Sequence, residues 1–455
     1  MPKRLATYLK LHKVSLFLAL LSMVFYYTFA YHLERTDFVR LISLYAVLFF
    51  LCYKLIQFEK WNYKFLLGIG ILFRLTFLLV EPNLSQDYFR FIWDGHLVSN
   101  FINPYLNVPN QLITQSNLVI ANAKELYDGM GSLSARHFSN YPPLNQFAFA
   151  LAAVLGGKSI LGSVIAMRGI LIFADVGIFY FGRKLLKNLN RSPHLIFWYF
   201  LNPLIIIELT GNLHFEGLML FFFIWAMYLI SVNKWKRAGL VYACSIAVKL
   251  VPLLFLPLFL KHLGFKKSIL FFLLVGGTCL LLFLPFYSPE FIDNYSKTIG
   301  LWFSNFEFNA GIWNGVKYIG KQFDAKPWEL IKTYGKITPI LTIAMVLLFT
   351  LLRKNQKLST LLTSMLWILT LYYFMSTTVH PWYIIFLVAL AIFTEYRYAL
   401  LWSVVVILSY FAYSKTDFEE NLWLLTIEYL TIYAYILYEI ITVHGKKLLF
   451  HKNRT

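Results

Sequence analysis

A chain of 455 residues that is 59% hydrophobic and only 14% charged, with 44 Phe and 30 Tyr, lies outside the range of a soluble globular domain. Its apolar residues recur in runs of roughly 15 to 23, as in a polytopic α-helical membrane protein, and the alternating ten-residue segments of a membrane β-barrel are absent. A net charge of +19 raises the question of nucleic acid, but the basic residues flank the apolar runs as membrane anchors do, so no nucleic-acid partner is expected.

In chain order, Lys3, Arg4, Lys10 and Lys13 precede the first apolar run and place the N-terminus in the cytoplasm. No small-residue cleavage site follows that run, so it reads as a retained anchor helix. Spans are predicted over 14–31, 38–56 and 65–81. Lys54, Lys60 and Lys64 return the chain to the cytoplasm, which puts 82–142 outside. The stretch 143–156 reads as a re-entrant or interfacial helix, and 160–182 crosses to Arg183, Lys184, Lys187 and Arg191. Spans over 194–209 and 214–232 form a hairpin with its tip outside. A broken pair, 238–248 and 251–260, follows. Span 268–287 leads to a second outer loop, 288–336, and 337–352 returns from it. Spans over 359–376, 381–394, 398–413 and 421–443 finish the chain. The expectation is an all-α, multi-pass bundle of about 12–14 spans, one polytopic domain over 1–455, embedded in the lipid bilayer. Most of the 41 Lys and Arg then lie inside, and nearly all acids lie outside or within spans, Glu59 and Glu395 excepted. Cys52, Cys244 and Cys279 fall in apolar runs and read as small hydrophobes.

On this map the unusual polar clusters share the outer face. Asp87 and Asp94 are seven residues apart, so a helix there puts both on one face. One is suited to act as a general base, the other as an orienting or metal-binding partner. The competing reading is two solvated acids, but Tyr88, Phe89, Phe91, Ile92 and Trp93 make the segment membrane-hugging. Arg90 and His96 beside them are candidate substrate-binding residues. Asn212, His214 and Glu216 cap the hairpin and suit hydrogen bonding to a sugar or pyrophosphate. His-x-Glu is a weak metal signal, and a plain polar hairpin tip is the alternative. Lys249 lies between two apolar half-helices and calls for an anion such as a lipid phosphate, unless it merely snorkels. His380, Trp382 and Tyr383 mark the outer end of another span. His380 can bond a phosphate, and the aromatics equally suit an interfacial belt. There is no nucleotide-binding Gly loop, no Cys-His zinc pattern and no Ser nucleophile elbow, so no cofactor is expected and no divalent metal is indicated. With no soluble nucleotide-sugar domain, activated substrate must come from the membrane.

These motifs give the chain its resemblance to the GT-C superfamily of integral-membrane glycosyltransferases. It is similar in particular to the bacterial polyprenyl-phosphate-mannose-dependent mannosyltransferases (family 87), and more distantly to the GPI mannosyltransferases. The likeness rests on Asp87-Tyr-Phe-Arg in the first large outer loop, Gly95 through Asn103-Pro-Tyr105, Tyr141-Pro-Pro-Leu144 and Asn202-Pro203. Lys249-Leu-Val-Pro252 and His380-Pro-Trp-Tyr383 complete it, over residues from about 70 to 400. The resemblance implies a polyprenyl-phosphate sugar donor, mannose as the sugar, a lipid-linked or glycan acceptor and an inverting displacement. It implies 82–142 as the catalytic loop, with Asp87 as the base and Asp94 as a second acid. Lys249 and His380 would face the donor phosphate, and the protein would sit in a bacterial cytoplasmic (inner) membrane. The pair of spans before the catalytic loop departs from the single one of many relatives. A transporter or flippase of a lipid-linked sugar is the alternative, but it needs polar groups near the bilayer midplane, and here they gather at one lip.

Overall fold

The computed structural model describes residues 3–304, 306–415 and 418–452. Among them the regular structure is helical throughout, apart from one isolated parallel bridge between Phe308 and Thr378. Seven helices are long and apolar enough to cross a membrane, and the bent pair Pro193–Phe200 and Pro203–Gly211 makes an eighth if it counts as one span. Of five shorter apolar helices, four fall on other predicted spans, and the fifth, Pro143–Gly156, falls on the expected re-entrant or interfacial stretch. Large apolar side chains stand outward along the long helices: Phe17, Leu20, Leu273, Leu280, Ile340, Leu348 and Leu437 are all exposed. A water-soluble fold does not leave apolar surface of that extent uncovered. The chain is an all-α polytopic membrane protein.

The predicted spans are shorter and more broken than their hydropathy implies, and the reasons are local. The span expected over 65–81 ends as a helix at Leu75 and continues as turns. The span expected over 194–209 is cut at Leu201 and Asn202, because Pro203 cannot continue the preceding turn, and it ends as a π-helical segment over 206–211. The half-helix expected over 251–260 starts as a 3-10 segment, Val251–Leu258, with Pro252 and Pro257 in it. The stretch 288–336, expected as an outer loop, is itself largely helical.

The chain's internal contacts gather into two units, residues 1–228 and 229–455. In the first, α1 (Lys13–His32) and α2 (Phe38–Glu59) form a hairpin, and α3 (Tyr63–Leu75) packs on both. Asp37 and Asn62 cap α2 and α3 by accepting the N–H groups of Arg40 and Phe65. The segment 82–142 holds α4 (Asp87–Ser99) and α5 (Ala123–Ala135). It is followed by α6 (Pro143–Gly156), which Pro143 starts at its first position, and by α7 (Ile160–Asn188), capped by Ser159. At 14 residues, α6 is shorter than the roughly 20 a spanning helix needs. Then comes α8 (Glu216–Ser231). The Arg74 Nε to Asp175 Oδ2 ion pair, 2.8 Å long and wholly buried, ties α3 to α7, and Tyr199 donates to the other Asp175 oxygen at 3.2 Å.

Helix α4 lies across α6 at very close range. A Cβ at Gly95 would come within 2.4 Å of the Phe149 carbonyl oxygen. Phe91 stacks on Phe149 with ring centroids 4.5 Å apart.

The second unit contains α9 (Trp235–Val248), α10 (Phe265–Phe283), α11 (Pro289–Ser304), α12 (Gly311–Gln322) and α13 (Pro327–Leu352). It ends with α14 (Leu358–Met375), α15 (Ile384–Ala391), α16 (Tyr398–Val405) and α17 (Leu422–Lys452). The Phe306–Phe308 segment lies along Thr377–Val379, with Phe308 N–H donating to the Thr377 carbonyl at 3.0 Å and Val379 N–H to that of Phe308 at 2.8 Å.

Candidate active site

The acids of α4 have different surroundings. Asp87 occupies the first helical position, where its charge faces the positive end of the helix dipole, and it is partly exposed. Its backbone N–H meets the Ser85 hydroxyl at 3.3 Å. Asp94 lies two turns further on the same face and is fully buried. It accepts from Arg90 Nε at 2.7 Å on one oxygen and from Gln146 Nε2 at 3.2 Å on the other. Arg90 spends its remaining reach on the Ser134 and His137 carbonyls, at 2.6 and 3.0 Å. It therefore ties α4 to the end of α5. His96, nine residues after Asp87, falls on the opposite face of α4, and burial lowers its pKa.

The hairpin tip comes to the same place. The π-helical segment 206–211 ends in a reversal through Leu213, which adopts a left-handed backbone with φ of 64°. Asn212 Nδ2 donates to Glu208 Oε2 at 3.0 Å, and the same oxygen lies 3.4 Å from His214 Nε2. Asn212 Oδ1 accepts the Leu84 N–H at 3.4 Å, which joins the tip to the segment leading into α4. Glu216 opens α8 and is almost fully buried. Phe215, between His214 and Glu216, packs edge-on against Phe91 and Phe149, at 5.8 and 5.0 Å.

Tyr141 sits among these groups. Its ring packs on Phe91 and Phe149 at 5.1 and 5.5 Å, and the Tyr105 hydroxyl donates to its carbonyl at 2.5 Å. Loss of water raises the Tyr141 pKa well above its ordinary value. Asp87, Asp94 and Glu216 press the same way, and Arg90 opposes them. The structure thus gathers Asp87, Arg90, Asp94 and the 212–216 tip around one aromatic cluster.

In the second unit four of the expected residues also meet. Lys249 is the extended residue that ends α9, at φ −148° and ψ 139°. Its ammonium lies 5.9 Å from the Tyr383 ring centroid. Tyr383 stands edge-on to His380 at 5.3 Å. His380 is layered between Trp382 and Phe308, at 4.3 and 4.9 Å. Beside the Lys249 break opens an apolar cavity of about 460 Å³, lined by residues such as Leu250, Leu254, Thr342, Val346, Tyr372 and Thr377.

Reading the sequence alone missed Glu208, Gln146, Tyr141 as a central ring, and Arg168. Glu208 and Arg168 are single charges inside otherwise apolar runs, and that isolation was the available signal. Among the described residues no group of three or more His, Cys, Asp or Glu side chains gathers to hold a metal ion.

No individually curated protein matches the chain. The family model described as the MptA_B family, alpha-(1->6)-mannopyranosyltransferase, N-terminal domain, matches residues 19–263. That stretch is more than half of the chain, and it takes in α4, the 212–216 tip and Lys249 but not His380. With its acid-bearing α4 and multi-pass helical architecture, the chain belongs to this family of membrane mannosyltransferases.

Proposed function

We propose that the protein transfers mannose from a polyprenyl-phosphate donor to a lipid-linked or glycan acceptor on the extracytoplasmic side of the membrane. The single observation that carries the mechanism is the difference in access among the clustered carboxylates. Asp94 is sealed and paired, Glu216 is almost fully buried, and Asp87 alone of the three is partly exposed. An acceptor hydroxyl can reach Asp87. In the proposed step Asp87 takes the hydroxyl proton as the acceptor oxygen attacks the anomeric carbon. The bond from that carbon to the phosphate oxygen breaks on the opposite face, the electron pair leaves with polyprenyl phosphate, and the configuration inverts.

The other roles are assigned by the same reading. Asp94 and Arg90 hold α4 in place, while Asn212, His214 and Glu216, buried with Glu208 behind them, shape and polarise the wall of the sugar site. Lys249 and His380 are assigned to the departing phosphate, whose growing charge a cation stabilises. The neighbouring Trp382 and Tyr383 offer ring faces, and the apolar cavity beside Lys249 suits an isoprenoid chain. On this reading residues 82–142 form the catalytic loop, 288–336 a second outer loop, and the whole chain one polytopic domain of a bacterial inner membrane.

The test is a transfer assay with purified protein, radiolabelled polyprenyl-phosphate mannose and candidate acceptors. Asp87→Asn keeps the side-chain shape and cannot take a proton. Turnover should fall by ~10²-fold or more, the scale of general-base loss, with unchanged folding. Near-normal turnover in the folded variant would remove Asp87 from the mechanism. Activity with a nucleotide sugar and none with the lipid donor would remove the donor class.

A further inference from the structure

Arg168 lies on α7, with no exposed surface. Its guanidinium meets backbone oxygens from two segments. Nη1 donates to the carbonyls of Leu78, at 3.1 Å, and Val80, in the turns that follow α3. Nε donates to the Thr210 carbonyl at 2.9 Å and Nη2 to that of Gly211 at 3.1 Å, at the end of the π-helical segment. Chain ends that have left a helix expose carbonyls with no partner of their own. The Thr210 and Gly211 oxygens also carry the negative end of their helix dipole. One planar cation therefore satisfies two such ends at once.

The positions of those ends make the contact informative. Val80 is seven residues before Asp87, and Gly211 is five before Glu216. The Leu84 N–H to Asn212 bond continues the same seam. A buried cation is costly, and a fork bonded to four carbonyls holds geometry as well as fold.

We propose that Arg168 is a positioning residue for mannosyl transfer. It fixes the spacing between the segment that carries Asp87 and the tip that carries Asn212, His214 and Glu216. The inference rests on the reading of Asp87 as the base. Its consequence is kinetic: with the clasp loosened, donor binding persists while the proton acceptor is displaced. A displacement on the order of 1 Å is enough for roughly 10²-fold in rate.

The experiment uses the full-length protein in detergent or nanodiscs and a double-mutant cycle. Arg168→Lys keeps the charge but has a point of donors in place of a fork, too compact to bridge both segments. Measurements are the folded fraction by thermal melting, kcat and donor KM per folded protein, and the same substitution in an Asp87→Asn background. The expected result is a kcat lowered by ~10- to 100-fold, a donor KM within about twofold of the unsubstituted protein, and almost no further loss when Asp87 is already Asn. An unchanged kcat overturns the proposal. So does a loss as large in the Asp87→Asn background as outside it. If Arg168→Lys does not accumulate, Arg168→Gln is assayed in membranes with added guanidinium ion. Recovery of kcat beyond that given by sodium chloride at equal ionic strength supports the clasp, and no recovery overturns it. If neither variant folds, Arg168 serves folding only and the proposal fails. Asp87→Asn alone reports separately on the base: if it turns over normally, that reading fails whatever Arg168 does.

Discussion

Removing the Asp94 carboxylate should damage the fold before it damages the chemistry. Asp94 and Arg90 form a 2.7 Å ion pair with side chains 0% and 5% exposed. Asp94→Leu leaves a buried guanidinium with only the Ser134 and His137 carbonyls to meet it. Breaking a buried pair from one side costs about 3–5 kcal/mol, because the remaining charge is neither hydrated nor compensated. The Gln146 amide would also lose an acceptor, although Ser139 Oγ, 2.6 Å away, still accepts its other N–H. Arg90→Met should cost a similar amount for the converse reason. The double variant Arg90→Met/Asp94→Leu removes both charges and should recover most of the loss, so the two effects are far from additive. Unfolding of the purified protein by heat and by denaturant reads the stability, and turnover per folded molecule reads the chemistry. Asp94→Leu that melts like the unsubstituted protein but has lost turnover would refute this reasoning and make Asp94 a participant in the reaction.

Lys249→Met should weaken inhibition by plain polyprenyl phosphate by ~10- to 100-fold, since a charge-assisted hydrogen bond contributes ~1.5–3 kcal/mol, and Lys249→Arg should restore only part of it. An unchanged inhibition constant would move the phosphate site elsewhere, with His380 next in line. In a cysteine-free background, single cysteines at the exposed positions Asn117 and Lys321 should react with an impermeant reagent in intact cells, and those at Asn190 and Lys354 should not. The opposite labelling pattern would invert the membrane orientation. His96→Gln should leave turnover at pH 7 unchanged, because the ring lies on the far face of α4. Burial lowers the His96 pKa, so its contribution to stability is present above the ordinary value of 6.5 and is lost as pH falls through the lowered value. His96→Gln should flatten that acid-side decline in melting temperature, and identical profiles would contradict it.

The architecture was legible where hydropathy and flanking charge act over many residues. The long spans, the Lys249 break and the amphipathic helix at Asp87 all follow from such patterns. What the pattern does not carry is where an apolar run stops being a helix. Proline at 203, 252 and 257 ends or tightens turns while its apolar neighbours keep the run hydrophobic, so segments read as spans are short or broken. The acids on α4 share a helical face by spacing, but only packing against α6 and Gln146 separates a sealed carboxylate from an accessible one. Arg168 and Glu208 escaped notice because counting basic loops ignores charges inside apolar stretches. Their partners, mostly backbone carbonyls and a neighbouring amide, leave no mark in the sequence.

The contact beneath Gly95 has a consequence for how this enzyme can vary. With 2.4 Å between a hypothetical Cβ and the Phe149 carbonyl oxygen, the obstacle is main chain, which cannot step aside as a side chain can. Position 95 therefore tolerates one residue, and the reason is mechanical: it belongs to the bearing on which α4 rests. Even Gly95→Ala would have to lift that helix away from its support and carry both acids with it. On the proposed mechanism, directed evolution toward new sugars should find its freedom around the 212–216 tip, and none at the glycine on the helix that carries Asp87.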